Sequence, residues 1–159
     1  MIETTGYIHF DPINVSKKHE EQSSWKTTAM ALLKDDTEAY YRWFLERRFN
    51  LKLIKSIRGS HLTFLNEKFS NIKVDYEEAK KFFTNKSVKI TYDPKNLRFS
   101  NGFWFILAES DDLMNVRKAL GLGDPYFHFH ITIGNTNELN KQNSEYIKQV
   151  LIARGDYRL

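Results

Sequence analysis

Short segments of apolar and alternating residues recur along this chain, and they predict a fold rich in β-strands. The segments typical of strands are residues 6–10, 51–57, 61–65, 88–92, 97–100, 103–108 and 127–133. Asn101-Gly102 joins two of them and predicts a tight β-hairpin. Asp11-Pro12 and Asp93-Pro94 predict strand ends, because proline has no N–H to donate to a strand ladder.

Four other segments place apolar residues three and four positions apart, which is the spacing of an amphipathic helix. These segments are residues 35–50, 74–83, 111–120 and 143–153. Residues 25–33 are largely apolar without a clear period, and their alanine and leucine content favours a helix. Interleaved helices and strands with one clear hairpin predict an α+β fold with a largely antiparallel sheet.

The length of 159 residues predicts one domain spanning residues 1–159, with residues 1–24 as a peripheral N-terminal extension that carries no motif. The chain has no cysteine, which excludes disulfides, thiolate chemistry and cysteine-based zinc sites. Its N-terminus does not resemble a signal peptide, and its longest apolar run, around residues 103–108, is too short to span a bilayer. We therefore expect a cytoplasmic protein without a membrane partner.

The formal net charge is +4, but the basic residues are scattered rather than concentrated. This distribution does not favour a long nucleic acid as partner, since such ligands demand a strong basic patch. A small phosphate-bearing ligand needs only a few local charges. Aromatic residues make up 14% of the chain, which is more than a core of this size needs, so some are expected to face a ligand.

Two short motifs of the same form are the main chemical feature of the chain. His61-Leu62-Thr63-Phe64 and His130-Ile131-Thr132-Ile133 each read histidine, apolar, threonine, apolar, and they lie 69 residues apart. On a strand, residues two apart share a face, so each motif presents a histidine and a threonine on one face and an apolar pair on the other.

Such a pair of motifs suits the cleavage of a phosphodiester that has a neighbouring ribose hydroxyl. Histidine titrates near neutral pH, so one neutral imidazole can accept the 2′-hydroxyl proton while an imidazolium donates to the leaving oxygen. The two threonine hydroxyls can donate hydrogen bonds to the non-bridging phosphate oxygens. This chemistry needs no metal and no cofactor, and either histidine can act first as the base.

The paired motifs resemble those of the 2H phosphoesterase superfamily, and the chain is most similar to the phage anti-CBASS phosphodiesterases within it. The resemblance implies a bilobal fold, with two antiparallel sheets flanked by helices around a central cleft. It implies that His61 and His130 are the acid–base pair and that Thr63 and Thr132 hold the phosphate. The implied substrates are cyclic di- and trinucleotide messengers such as 3′,3′-cGAMP, whose 3′–5′ linkages would be hydrolysed in the host bacterial cytoplasm to counter CBASS defence.

Further residues are candidates for binding such a substrate. Arg58 is close enough in sequence to His61 to meet a phosphate. The aromatic candidates for contacting a nucleobase are Tyr7, Trp25 and Tyr92. Trp104, between two phenylalanines, is more typical of a core residue.

Three alternative functions stay open at this stage. The first is a phosphodiesterase acting on 2′,3′-cyclic RNA ends, and the second is a sponge that binds cyclic nucleotides without cleaving them. The third is a metal-dependent hydrolase, because His128 shares a strand face with His130 and could join His61 in a three-histidine site.

Overall fold

The computed structural model describes residues 1–10, 28–56, 58–66 and 72–155, which form an α+β fold. The strands are β1 (Ile2–Phe10), β2 (Thr28–Leu33), β3 (His61–Asn66), β4 (Ser87–Ser100), β5 (Phe103–Glu109) and β6 (His130–Asn135). The helices are α1 (Thr37–Phe49), α2 (Tyr76–Phe83), α3 (Asp111–Ala119) and α4 (Glu138–Ala153).

All six strands belong to one antiparallel sheet in the order β1-β2-β3-β6-β5-β4, and pairing between β1 and β4 closes it into a barrel. The element order β-β-α-β-α occurs twice, first from β1 to α2 and then from β4 to α4. Each half therefore contributes three adjacent strands, and the third strand of each half, β3 or β6, carries one motif. The halves meet where β3 pairs with β6.

The single closed sheet differs from the two separate sheets expected from the resemblance. The two three-stranded units exist, but backbone pairing on both sides joins them into one. Residues 2–10 are also not peripheral, because β1 pairs with both β2 and β4. The rest of the expected extension, residues 11–24, lies outside the described residues.

Some segments differ from their predicted secondary structure. Residues 28–33 form strand β2 rather than a helix, while residues 25–27 are not described. Residues 51–57 do not form a strand over the part that is described; they make one bridge, between Ile54 and Asn135. Strand β4 continues past Asp93-Pro94, and a shift in its pairing with β5 between Tyr92 and Leu97 accommodates the proline.

Helices α2, α3 and α4 each begin directly after a residue whose side chain caps the helix. Asp75, Ser110 and Asn137 each accept a hydrogen bond from a backbone N–H three residues later. The cap at Asn137 explains why α4 begins five residues before its predicted start at residue 143. No helix in the described part of the chain is long and apolar enough to cross a membrane.

The core gathers the apolar side chains of alternate strand positions together with those from the helices. Trp104 is fully buried, as expected, and its indole Nε1 donates a hydrogen bond of 2.8 Å to Ser144 Oγ on α4. The middle residues of the two motifs, Leu62 and Ile131, are fully buried in the same core. The histidines and threonines that flank them therefore project from the opposite face of the sheet.

Candidate active site

The two motifs lie side by side where the halves of the barrel meet. Leu62 on β3 is directly opposite Ile131 on β6 in an antiparallel register. Their flanking residues are neighbours across the strands, so this register brings Thr63 alongside His130 and His61 alongside Thr132. All four polar side chains share one face of the sheet, which we call the His/Thr face.

The two histidines make the same hydrogen bond. His61 Nδ1 lies 2.8 Å from the carbonyl oxygen of Gly59, and His130 Nδ1 lies 2.8 Å from that of His128. Because a carbonyl oxygen can only accept, Nδ1 carries a proton in each ring. The same tautomer is therefore fixed at both sites, and Nε2 is the nitrogen that can exchange a proton with a substrate.

The turn before His61 is built to present that carbonyl. Gly59 has a φ of +68°, a left-handed conformation that glycine adopts without strain. Helix α1 anchors the turn from the other side. The Glu38 carboxylate accepts from Ser56 N at 2.8 Å, and Glu38 N donates to Ser60 Oγ at 2.8 Å. The orientation of the His61 ring thus depends on one glycine and the first turn of one helix.

The two histidines differ in their surroundings. His61 is only 9% exposed, whereas His130 is half-buried and its ring lies 5.2 Å from that of Phe105. Burial lowers the pKa of His61, the hydrogen bond with Gly59 opposes this, and the charges of Arg58 and His130 lower it further. His61 is therefore held in its neutral form at neutral pH.

Arg58 adds positive charge next to this pair. It is half-buried, and its charge is close enough to affect the protonation of His61. Burial lowers the pKa of Arg58 to about 10, so the guanidinium is still charged at neutral pH. Arg58 therefore lies close to His61, and its expected role as a cation beside a phosphate stays a prediction.

A cleft of about 580 Å³ opens beside the motifs, and both Thr63 and His130 line it. Its far wall is the loop between α3 and β6, which contributes Asp124, Tyr126 and Phe127. The side chain of Arg117 lies at the base of this loop. The cleft therefore runs from the two motifs to an aromatic rim.

The aromatic residues predicted to contact bases have different positions. Tyr7 is 40% exposed, and the register Tyr7–Leu32–His61 places it on the His/Thr face, two strands or about 10 Å from His61. The prediction that Tyr92 contacts a base is wrong. Tyr92 is 6% exposed and packs edge-on against Tyr41 at 6.1 Å, so it belongs to the core. Trp25 lies outside the described residues.

Sequence reasoning missed Tyr126, Phe127 and Arg117. The two aromatics lie four and three residues before His130, and that closeness in sequence is an available signal. Residue 127 was instead assigned to a strand that in fact begins at His130. Arg117 had no distinguishing signal, because a basic residue in the last turn of a helix is common.

A metal site of the three-histidine type does not form among the described residues. Within them, no three His, Cys, Asp or Glu side chains come together as metal ligands. His61, His128 and His130 therefore do not form such a group. His128 is exposed, and what it contributes here is its backbone carbonyl.

Comparisons with known proteins leave the site to be interpreted on its own geometry. No protein-family model, no curated protein and no solved structure matches the chain.

Proposed function

We propose that this protein is a metal-independent phosphodiesterase of the 2H type that uses a ribose 2′-hydroxyl as internal nucleophile. One observation carries the proposal: two histidines on adjacent strands, each with Nδ1 bonded to a backbone carbonyl, present Nε2 on the same face. Two imidazoles placed diagonally across adjacent strands, each with Nε2 on the same face, are what a paired acid and base require.

Roles for the first step follow from the difference in burial. Neutral His61 accepts the proton of the 2′-hydroxyl through Nε2, and the 2′-oxygen attacks the phosphorus. Protonated His130 donates its proton to the departing 5′-oxygen, which leaves a 2′,3′-cyclic phosphate. Thr63 and Thr132 donate hydrogen bonds to the non-bridging oxygens as charge develops on them.

The second step returns both histidines to their starting state. His130, now neutral, accepts a proton from water, and the hydroxide attacks the cyclic phosphate. His61, now protonated, donates to the departing 2′-oxygen and regenerates the hydroxyl. The product is a linear oligonucleotide that ends in a 3′-phosphate.

The proposed substrates are cyclic di- and trinucleotide messengers such as 3′,3′-cGAMP, in keeping with the resemblance to the anti-CBASS enzymes. The cleft volume and the few local charges favour a small phosphate-bearing ligand. In that setting the protein would act in the cytoplasm of a bacterial host and remove the messenger of its antiphage defence.

The test is incubation of 3′,3′-cGAMP with wild type, His61→Ala and His130→Ala in the presence of a chelator, followed by chromatography. Conversion by wild type alone supports the proposal, and each variant should lose about a hundredfold or more in rate. Retention of uncleaved messenger by wild type would indicate a sponge. If wild type neither cleaves nor binds the messenger, 2′,3′-cyclic RNA ends become the substrates to test.

The His128→Ala variant distinguishes a metal-dependent mechanism from the metal-free one, since it removes an imidazole but keeps the backbone carbonyl that holds His130. The metal-free mechanism predicts little change. Loss of activity both in this variant and in chelator would instead support a three-histidine metal site.

A further inference from the structure

The loop between α3 and β6 presents two adjacent aromatic side chains at the rim of the cleft. Tyr126 is 71% exposed and Phe127 58% exposed. Their ring centroids lie 4.7 Å apart at an interplanar angle of 87°. Both line the same cleft as Thr63 and His130. Large aromatic surface left open to solvent this close to a catalytic pair points to a flat ligand group.

One buried side chain fixes this loop relative to the first motif. Arg117 is 8% exposed and donates to three carbonyl oxygens: Nε to Gly123 at 2.9 Å, Nη1 to Phe64 at 2.8 Å and Nη2 to Asp124 at 3.1 Å. Phe64 directly follows Thr63. Arg117 therefore ties the start of the loop, two residues before Tyr126, to the strand that carries the first histidine.

The charges along the cleft separate its two ends. At the motif end, Thr63 and His130 line the cleft, and the Arg58 guanidinium adds positive charge close to His61, so this end suits a phosphate. The loop end carries one residue of each charge, Asp124 and Arg117, and the Arg117 guanidinium already donates to three backbone carbonyls, so this end has no excess positive charge to attract a phosphate. A neutral, flat group that carries hydrogen-bond donors suits the loop end better, and a nucleobase is such a group.

We propose that Tyr126 and Phe127 form a nucleobase subsite that seats the base next to the scissile phosphate. This inference rests on the proposed phosphodiesterase function. Contact between a base and aromatic side chains typically strengthens binding by about tenfold to a hundredfold. The subsite would act on substrate binding rather than on the chemistry at phosphorus.

The experiment compares two substrates with the Tyr126→Ala/Phe127→Ala double variant. One is 3′,3′-cGAMP, and the other is a base-free methyl riboside 3′-(p-nitrophenyl phosphate), which keeps the 2′-hydroxyl. We expect kcat/KM for the cyclic dinucleotide to fall at least tenfold, mainly through KM, while kcat/KM for the base-free substrate stays within about twofold. Tyr146→Ala is the matched control, because Tyr146 is an equally exposed tyrosine, 72%, outside the cleft.

Two kinetic results would overturn the subsite. Unchanged kinetics on the dinucleotide would mean that the aromatics make no useful contact. An equal fall on both substrates would mean that the loop acts on the catalytic groups instead. If wild type cleaves neither substrate, the proposed function fails, and calorimetric titration with 3′,3′-cGAMP then decides the subsite alone. Weaker binding by the double variant than by wild type supports it, and equal binding or none refutes it.

Discussion

Replacing Arg117 by methionine should destabilise the protein strongly, although the residue lies outside the pair of histidines. The side chain is 8% exposed and makes three hydrogen bonds to carbonyl oxygens, each from a charged donor. Such bonds contribute about 1.5 to 3 kcal/mol each, and methionine recovers part of the loss through packing. We expect the free energy of unfolding to fall by about 3 to 5 kcal/mol.

Urea denaturation followed by circular dichroism measures this change, and the midpoint of thermal unfolding should fall by about 10 °C. Lys118→Met is the matched control, because Lys118 is the next residue of the same helix turn and is exposed. It removes the same charge near the helix end but none of the three bonds, so its effect should stay within about 0.5 kcal/mol. A loss below about 1 kcal/mol in Arg117→Met would refute the role of Arg117 as the anchor of the loop.

Three further predictions concern the proposed catalytic pair. Because the pKa of His61 is lowered below 6.5 and the base must be neutral, the acidic limb of kcat/KM against pH should lie below pH 6.5; a limb above pH 7 would contradict this assignment. A dinucleotide with 2′-deoxyribose at the cleaved linkage should bind but resist cleavage, and its rapid hydrolysis would indicate external water as nucleophile. Gly59→Ala should lower the free energy of unfolding by about 1 kcal/mol, because of the positive φ, and should also reduce kcat. Gly155→Ala is the control, since Gly155 has a φ of +74° and equally open surroundings, and it should lower stability alone. Unfolding and rate measurements on both variants check this.

The sequence predicted the parts of the site that depend on local pattern. A period of two placed His61 and Thr63 on one face and buried Leu62 on the other, and the same argument held for the second motif. The carbonyl partners of the two histidines were not predictable in this way. They depend on the φ and ψ angles of a turn and of a strand entry, which a residue pattern does not encode.

Strand β2 was mistaken for a helix because it is buried on both faces. Ala29 and Ala31 pack into the core, while Met30 is fully buried on the side of the histidines, where it pairs with Thr63. A strand covered on both faces loses its alternation of apolar and polar residues, and alanine and leucine then suggest a helix. The strand prediction for residues 51–57 is wrong for the opposite reason. Leu51 and Leu53 alternate with polar residues because they reach the core, although residues 51–56 form no strand ladder.

The contact that assembles the site is the one that the sequence could least predict. Each half of the barrel orients its own histidine through a carbonyl two residues earlier in the chain, so ring orientation is a local property. The spacing between the histidines instead depends on the pairing of Leu62 with Ile131, two residues 69 positions apart, and β6 pairs mainly with β5 rather than with β3. Neither half holds both an acid and a base. The proposed catalysis by this pair therefore requires both halves to fold and to meet at β3 and β6.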